Sequence, residues 1–294
     1  MKFLRLGQKE IPILIKGKSI EEYSIVIYSE NAPFLESKSS CAMAARELQK
    51  YICLITGVSL PIVDDKILPV KECEILVGKR DREVEYHQTE FKEDEYSIRT
   101  IASKLAFDGG VRGILYAVYD FLEKYCGVRF FTYDVEKIID CEAIHIGEIN
   151  DSVCPKFEYR EMTFWNIFDA QFSVKSRING SVVRQLGPEW GGSVGYVGGV
   201  GGIVHTFSRL MPPEIYFQDH PECFALNEQG ERDPSGLCTT NKMTLSVVTE
   251  NVLNWLKNDP DGIVSVSIND GDVAYCSCKK CRQIERAEGG KAGL

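Results

Sequence analysis

The densest run of chemically capable residues lies at 263–281, IVSVSINDGDVAYCSCKKC. Cys276, Cys278 and Cys281 stand in C-x-C-x-x-C spacing. Cys276 and Cys278 alternate in a loop and Cys281 follows a turn later, so the three sulfurs can converge on one point. Zinc favours four ligands at tetrahedral geometry, and Cys238, at the end of a short strand predicted over 236–239, can supply a fourth sulfur to the same face. The competing reading of the cysteines is a group of reduced thiols in a loop. Just upstream, Ile263 to Ile268 form an apolar, β-branched run of strand length, which predicts a strand buried on both faces. Asn269 and Asp270 follow it directly. The carboxyl end of a buried parallel strand is where catalytic and binding groups collect in α/β folds, so Asp270 is a candidate catalytic carboxylate and Asn269 a candidate substrate ligand. A plain turn-capping role for Asp270 is the alternative.

The elements that must position these groups follow from periodicity. Over residues 1–150, strands and amphipathic helices alternate. A strand at Tyr23–Tyr28 precedes a helix over Cys41–Thr56, with Ser39 or Ser40 as its cap and Gly57 as its stop. A second strand at Glu74–Val77 comes next. Two strands around Ala102-Ser103 form a hairpin, and a helix over Val111–Tyr125 ends at Gly127. Asn150-Asp151-Ser152 and Pro155 break the pattern and predict a boundary between 1–150 and 151–294. Beyond it the expected strands are Glu158–Trp165, Ser181–Leu186, Cys223–Leu226 and Ile263–Ile268, with helices near 169–177 and 206–211 and one that Asn241 or Thr244 starts and that stops before Asp259. Residues 187–202 hold eight glycines in sixteen positions, a loop composition that often lies beside a site. The βα alternation predicts a parallel sheet. A complete (β/α)8 barrel takes about 250 residues; residues 158–294 supply 137, the first half of one. The expected fold is therefore an α/β accessory domain followed by a truncated barrel.

Composition narrows the partners. With 34 basic against 43 acidic residues the net charge is −9. Nucleic acid and anionic membranes, which are held by concentrated basic patches, are poor candidates. No stretch approaches the roughly 20 apolar residues of a membrane span, and the N-terminus lacks the apolar core of a signal peptide. Eleven cysteines, an odd number and mostly scattered, fit reduced thiols in a cytoplasm better than a disulfide framework. His87, His145 and His220 support no site.

Several segments together resemble known families. CAMAARELQKYICLITGVSLPIV, EILVG and LAFDGGVRGILYAVYDFLEKYCGVRFF resemble the N-terminal accessory domain of α-glucuronidases and family 20 hexosaminidases. FEYREMTFW, RING, HTFSRLMPPEIYFQDHPECFAL, LCTTN and VSVSINDGDVAYCSCKKC resemble the bacterial proteins grouped as domain of unknown function 4838, which include the family 163 endo-β-N-acetylglucosaminidases. That resemblance implies a glycoside hydrolase acting on the O-glycosidic bonds of a complex carbohydrate, at N-acetylglucosamine or a uronic acid, with no cofactor needed for catalysis. Asp270 then occupies a position of the catalytic Asp-Glu pair, here Asn269-Asp270 with Gly271 in place of the glutamate. Glycoside hydrolysis normally uses two carboxyl groups; Asp272 is one candidate for the second, a residue on a later strand in the missing half of the barrel the other, and the 294-residue chain is expected to be inactive alone. Arg160 stands where similar enzymes grip sugar hydroxyls, with an ion pair to Glu161 as the alternative. Trp165 and Asn166 end the first predicted barrel strand, and His205 follows the glycine-rich loop; all three are candidate substrate contacts. A carbohydrate-binding module without the chemistry, carrying a structural zinc, remains the alternative function, and a zinc or redox protein a third.

Overall fold

The computed structural model describes residues 2–4, 10–28, 37–78, 90–138, 140–198, 202–271 and 274–290. His87, Asp272 and residues 199–201 of the glycine-rich loop lie outside them. The chain divides into two compact units, Met1–Ser193 and Val194–Leu294.

The first unit is built on a six-stranded mixed sheet. Its strands run, edge to edge, Asn150–Val153, Tyr96–Ile101, Lys104–Gly109, Glu74–Val77, Ser24–Ile27 and Ile62–Asp64. Pairing is parallel among the last four and antiparallel through the hairpin that the sequence pattern implied. Helix Ser40–Thr56 begins where the Ser39 hydroxyl accepts the Ala42 N–H, and it stops at Gly57, whose left-handed φ of 78° suits a residue without Cβ. Helix Gly113–Lys124 follows the hairpin. Their apolar faces meet the sheet in one core that includes Leu48, Tyr51, Phe107, Tyr116, Phe121 and Leu122.

Residues 151–193, expected to start the second domain, pack within this first unit. The Asp169 carboxylate caps helix Ala170–Lys175 by accepting the Phe172 N–H at 2.7 Å. That helix carries Lys175, a buried cation paired with the equally buried Glu136. The Lys175 ammonium lies 5.0 Å from the Phe130 ring centroid, 5.4 Å from Tyr51 and 5.9 Å from Tyr119. Burial pushes the Lys175 pKa down, and the hydrogen bond to Glu136 opposes the shift.

The strands expected at Glu158–Trp165 and Ser181–Leu186 do not form. Side chains supply the partners that a sheet neighbour would have given. Asn179 accepts the Arg160 N–H and donates to the Glu158 carbonyl, while Glu161 accepts the Val182 N–H.

In the second unit, strands Phe224–Leu226 and Arg232–Leu237 form an antiparallel hairpin. Helix Lys242–Asn258 starts at the predicted cap, the Asn241 side chain accepting the Met243 and Thr244 N–H groups. The expected strand Ile263–Ile268 is a correction: it makes one parallel bridge, Ile263 to Tyr196, and is partly exposed along its length rather than buried on both faces. Beyond Ile263 a side chain replaces the ladder. The buried Thr206 hydroxyl donates to the Ser265 carbonyl at 2.8 Å and accepts the Ser267 N–H at 2.9 Å. The molecule is thus mixed α/β, and no closed barrel forms among the described residues.

The buried pair makes a stability prediction. Glu136→Ala leaves the Lys175 ammonium without its counter-charge and the Tyr51 hydroxyl, which donates to Glu136 at 2.7 Å, without its acceptor. Breaking a buried pair from one side costs about 3–5 kcal/mol. Urea denaturation should show that loss, with much of it recovered in the Glu136→Leu, Lys175→Met double variant. A loss below about 1 kcal/mol would contradict the assignment.

Candidate metal centre

Four cysteine sulfurs, those of Cys238, Cys276, Cys278 and Cys281, lie within 4.8 Å of one another. Cys238 is 3.8 Å from Cys278 and 4.0 Å from Cys281. A tetrahedral zinc with Zn–S bonds of about 2.3 Å separates its sulfurs by about 3.8 Å, so the group has the spacing of a tetrathiolate shell. Cys238, Cys276 and Cys281 are buried and Cys278 is half-buried.

Local structure explains the convergence. Cys238 directly follows strand Arg232–Leu237, and its N–H bonds back to the Cys223 carbonyl at 2.8 Å. Cys276 lies against the other strand of the hairpin: Leu226 N–H donates to its sulfur at 3.3 Å, and Ser277 N–H donates to the Leu226 carbonyl at 2.6 Å. Cys278 is the N-cap of helix Lys279–Glu288, and Cys281 sits in that helix's first turn. Backbone N–H groups and the helix dipole favour negative charge there.

The hydrogen bond with Cys276 pulls the Cys238 thiol down to about 4, against burial, and helps push the Cys276 thiol well above the ordinary range. A soft cation would displace the remaining protons and bind all four. The described residues hold this one group of three or more Cys, His, Asp or Glu side chains with metal-ligand spacing.

The candidate carboxylate lies six residues before Cys276, and the two neighbours Asn269 and Asp270 face differently. Asn269 donates to the Ser235 carbonyl at 2.5 Å, tying the segment to the hairpin, and its buried side-chain oxygen has no hydrogen-bond partner among the described residues. The Asp270 side chain is 97% exposed, and its carboxylate is 3.5 Å from His205 Nε2. His205 has a left-handed φ of 57°, an uncommon conformation for a residue with a Cβ. Two residues singled out separately in the sequence are thus neighbours.

The other three candidates belong to the first unit. Arg160 is engaged by its surroundings, donating to the Arg177 carbonyl at 2.7 Å, to the Phe157 carbonyl at 2.5 Å and to Asp94 at 3.2 Å. Its partner is Asp94, while Glu161 pairs with Arg184. Trp165 is 73% exposed and opens a short 3-10 helix with the buried Asn166 beside it; its ring lies 5.3 Å from that of Phe168. Sequence reasoning missed Thr240 and Thr206, whose hydroxyls hold the cysteine cluster and the 265–267 segment. No spacing marks such residues.

An α/β protein with a four-cysteine centre is the class these features define. The family described as Domain of unknown function (DUF4838) matches residues 130–293, more than half the chain, and the protein belongs to that family. No curated protein matches it. Among solved structures it is similar to a GH138 enzyme targeting pectin rhamnogalacturonan II, at 12% identity and a TM-score of 0.30, over 92% of this chain and 26% of that one. The chain thus spans about a quarter of that enzyme's length. Among the described residues no helix is long and apolar enough to cross a membrane.

The approach of hairpin to cysteine segment is testable at Gly236. A Cβ there would come within 2.1 Å of the Ala274 carbonyl oxygen. Forced overpacking of this kind costs about 1–3 kcal/mol, so Gly236→Ala should lower the unfolding free energy by that amount and the denaturation midpoint with it. An unchanged midpoint would mean that the segment does not lie against the hairpin.

Proposed function

We propose that the protein is a glycoside hydrolase-like module acting on a complex carbohydrate, with Asp270 as a catalytic carboxylate and a structural zinc bound by Cys238, Cys276, Cys278 and Cys281. The observation that carries this reading is the segment joining the two: it is fixed at Asn269 by Ser235 and at Cys276 by Leu226, and it presents a solvent-facing carboxylate beside His205. A rigid base under an exposed acid is what glycosidic chemistry requires of a positioned group. The motifs shared with family 20 and family 163 enzymes support the same assignment. They favour N-acetylglucosamine or a uronic acid as the sugar and a barrel completed by further chain.

In this reading His205 and Asn269 lie on the substrate side of the rim. The zinc is structural because four thiolates leave no position for water, and catalysis needs no cofactor. The scattered reduced thiols support a cytoplasmic location. A non-catalytic carbohydrate-binding module is the second reading. It is favoured by the exposed Trp165–Phe168 pair, since aromatic faces suit the C–H faces of sugars.

Two measurements test the proposal. Elemental analysis of protein purified with zinc present should give about one zinc per chain, lost in Cys278→Ser; sub-stoichiometric metal would leave only free thiols. In the active gene product, assayed on aryl N-acetylglucosaminides and uronides, Asp270→Asn should lower kcat by about 10²–10⁴, the range for a positioned acid or base. The fold should persist, because the Asp270 side chain is exposed. Unchanged kcat would reduce Asp270 to a turn residue and favour the binding module.

A further inference from the structure

Thr240 stands over the cysteine cluster in a way that packing alone does not require. Its hydroxyl oxygen is 3.3 Å from Cys281 Sγ, 3.6 Å from Cys238 Sγ and 3.8 Å from Cys278 Sγ. An oxygen touching three corners of a sulfur tetrahedron sits either outside their shared face or on the fourth corner. Cys276 occupies the fourth corner, so the hydroxyl lies outside the face opposite it. Cys276 itself is served by the Leu226 N–H. Every sulfur of the group therefore has a protein donor within reach from outside the shell.

We infer that Thr240 is a positioning residue of a tetrathiolate metal centre, donating its proton to the thiolate face of Cys238, Cys278 and Cys281. This rests on the metal reading above. While the sulfurs are thiols, either partner can donate. Once a divalent cation has displaced the thiol protons, the sulfurs only accept, and the hydroxyl becomes an obligate donor. The chemistry asks for this, because a divalent ion with four thiolates carries a net charge of about −2 in a largely buried pocket. The Thr240 hydroxyl, the Leu226 N–H and the N-terminus of helix Lys279–Glu288 are the groups that offset it. A shell so arranged suits soft thiophilic ions such as zinc, cadmium and cobalt and offers nothing to magnesium or calcium, which seek oxygen ligands.

The test compares Thr240→Val, which keeps the side chain's shape and removes the hydroxyl, with Thr240→Ser, which restores it. The readouts are zinc affinity in competition with a chromophoric chelator and the sulfur-to-metal charge-transfer band of the cobalt-loaded protein. The valine variant should bind zinc about 10–100-fold more weakly, as removal of an outer-shell partner typically does. Its cobalt band should keep the intensity of four thiolates but shift to lower energy, because sulfurs relieved of a hydrogen bond are more readily oxidised. The serine variant should return both values toward those of the parent. Equal affinity and an unshifted band in the valine variant, with the parent binding zinc normally, would overturn this inference alone. A parent protein that binds neither zinc nor cobalt would overturn the tetrathiolate reading with it. A valine variant that fails to fold leaves the serine variant decisive, since a tenfold loss there would show that shape rather than the hydroxyl is what the site uses.

Discussion

Four sulfurs held within 4.8 Å of one another are the constraint on which the second unit depends. Thiols at that spacing attract each other only weakly, and thiolates repel. The cluster nonetheless sits where a core would otherwise be, with Ala225 and Leu226 as its main apolar neighbours. The separate apolar cluster of Met211, Cys223, Phe224 and Leu237 is small, and a small core seldom stabilises a fold without a staple. A divalent cation there would turn mutual repulsion into shared attraction and join the end of one hairpin strand, the loop after Ala274 and the start of helix Lys279–Glu288. Binding energy in such sites is folding energy. With a metal bound, the unit's order and the metal's affinity would on that account be two expressions of one interaction.

The first unit solves the same problem with size. Its core is large enough to bury Tyr23, Tyr51, Tyr116, Tyr119, Phe107 and Phe121, and it can carry polar groups inside. Lys175 and Glu136 are each 2% exposed, and Glu47 accepts from Tyr119 and Gln171. A buried ion pair is weak evidence of stability, but it discriminates strongly between arrangements: helix Ala170–Lys175 can dock only where the ammonium meets both the carboxylate and the surrounding rings. That requirement, with the Asp94 bonds to Arg112, Arg160 and Asn179, ties residues 151–193 into the first unit.

What the sequence made legible was local. Ser39, Gly57 and Asn241 act within one helical turn, so their types and positions sufficed. The cysteine group was legible because its spacing is chemical, and even Cys238, 38 residues before Cys276, could be assigned from its place at a strand end. The segment Ile263–Ile268 was not, because a strand exists only through its neighbours. Its composition is that of a buried strand, yet beyond Ile263 the Thr206 side chain takes the place of a pairing partner. Arg160 illustrates the converse. A family position suggested a ligand, whereas the guanidinium's surroundings depend on Arg177, Phe157 and Asp94, which no pattern in the sequence links to it.

The behaviour of Asn269 and Asp270 follows from where rigidity ends. The chain bends at Asp270, so fixing the Asn269 side chain inward does not hold its neighbour. Asn269 is the inward member, bonded to Ser235; Asp270 is the outward one. On the approaching side, Thr206 is fully buried and locked to Ser265 and Ser267, and the residue before it, His205, turns into a left-handed backbone conformation. Such a conformation persists only when its surroundings over-determine it, and the buried threonine supplies that determination. Imidazole and carboxylate are therefore brought to 3.5 Å by two anchored neighbours rather than by their own contacts. Both side chains remain open to solvent, which leaves their remaining hydrogen-bonding capacity available to a ligand.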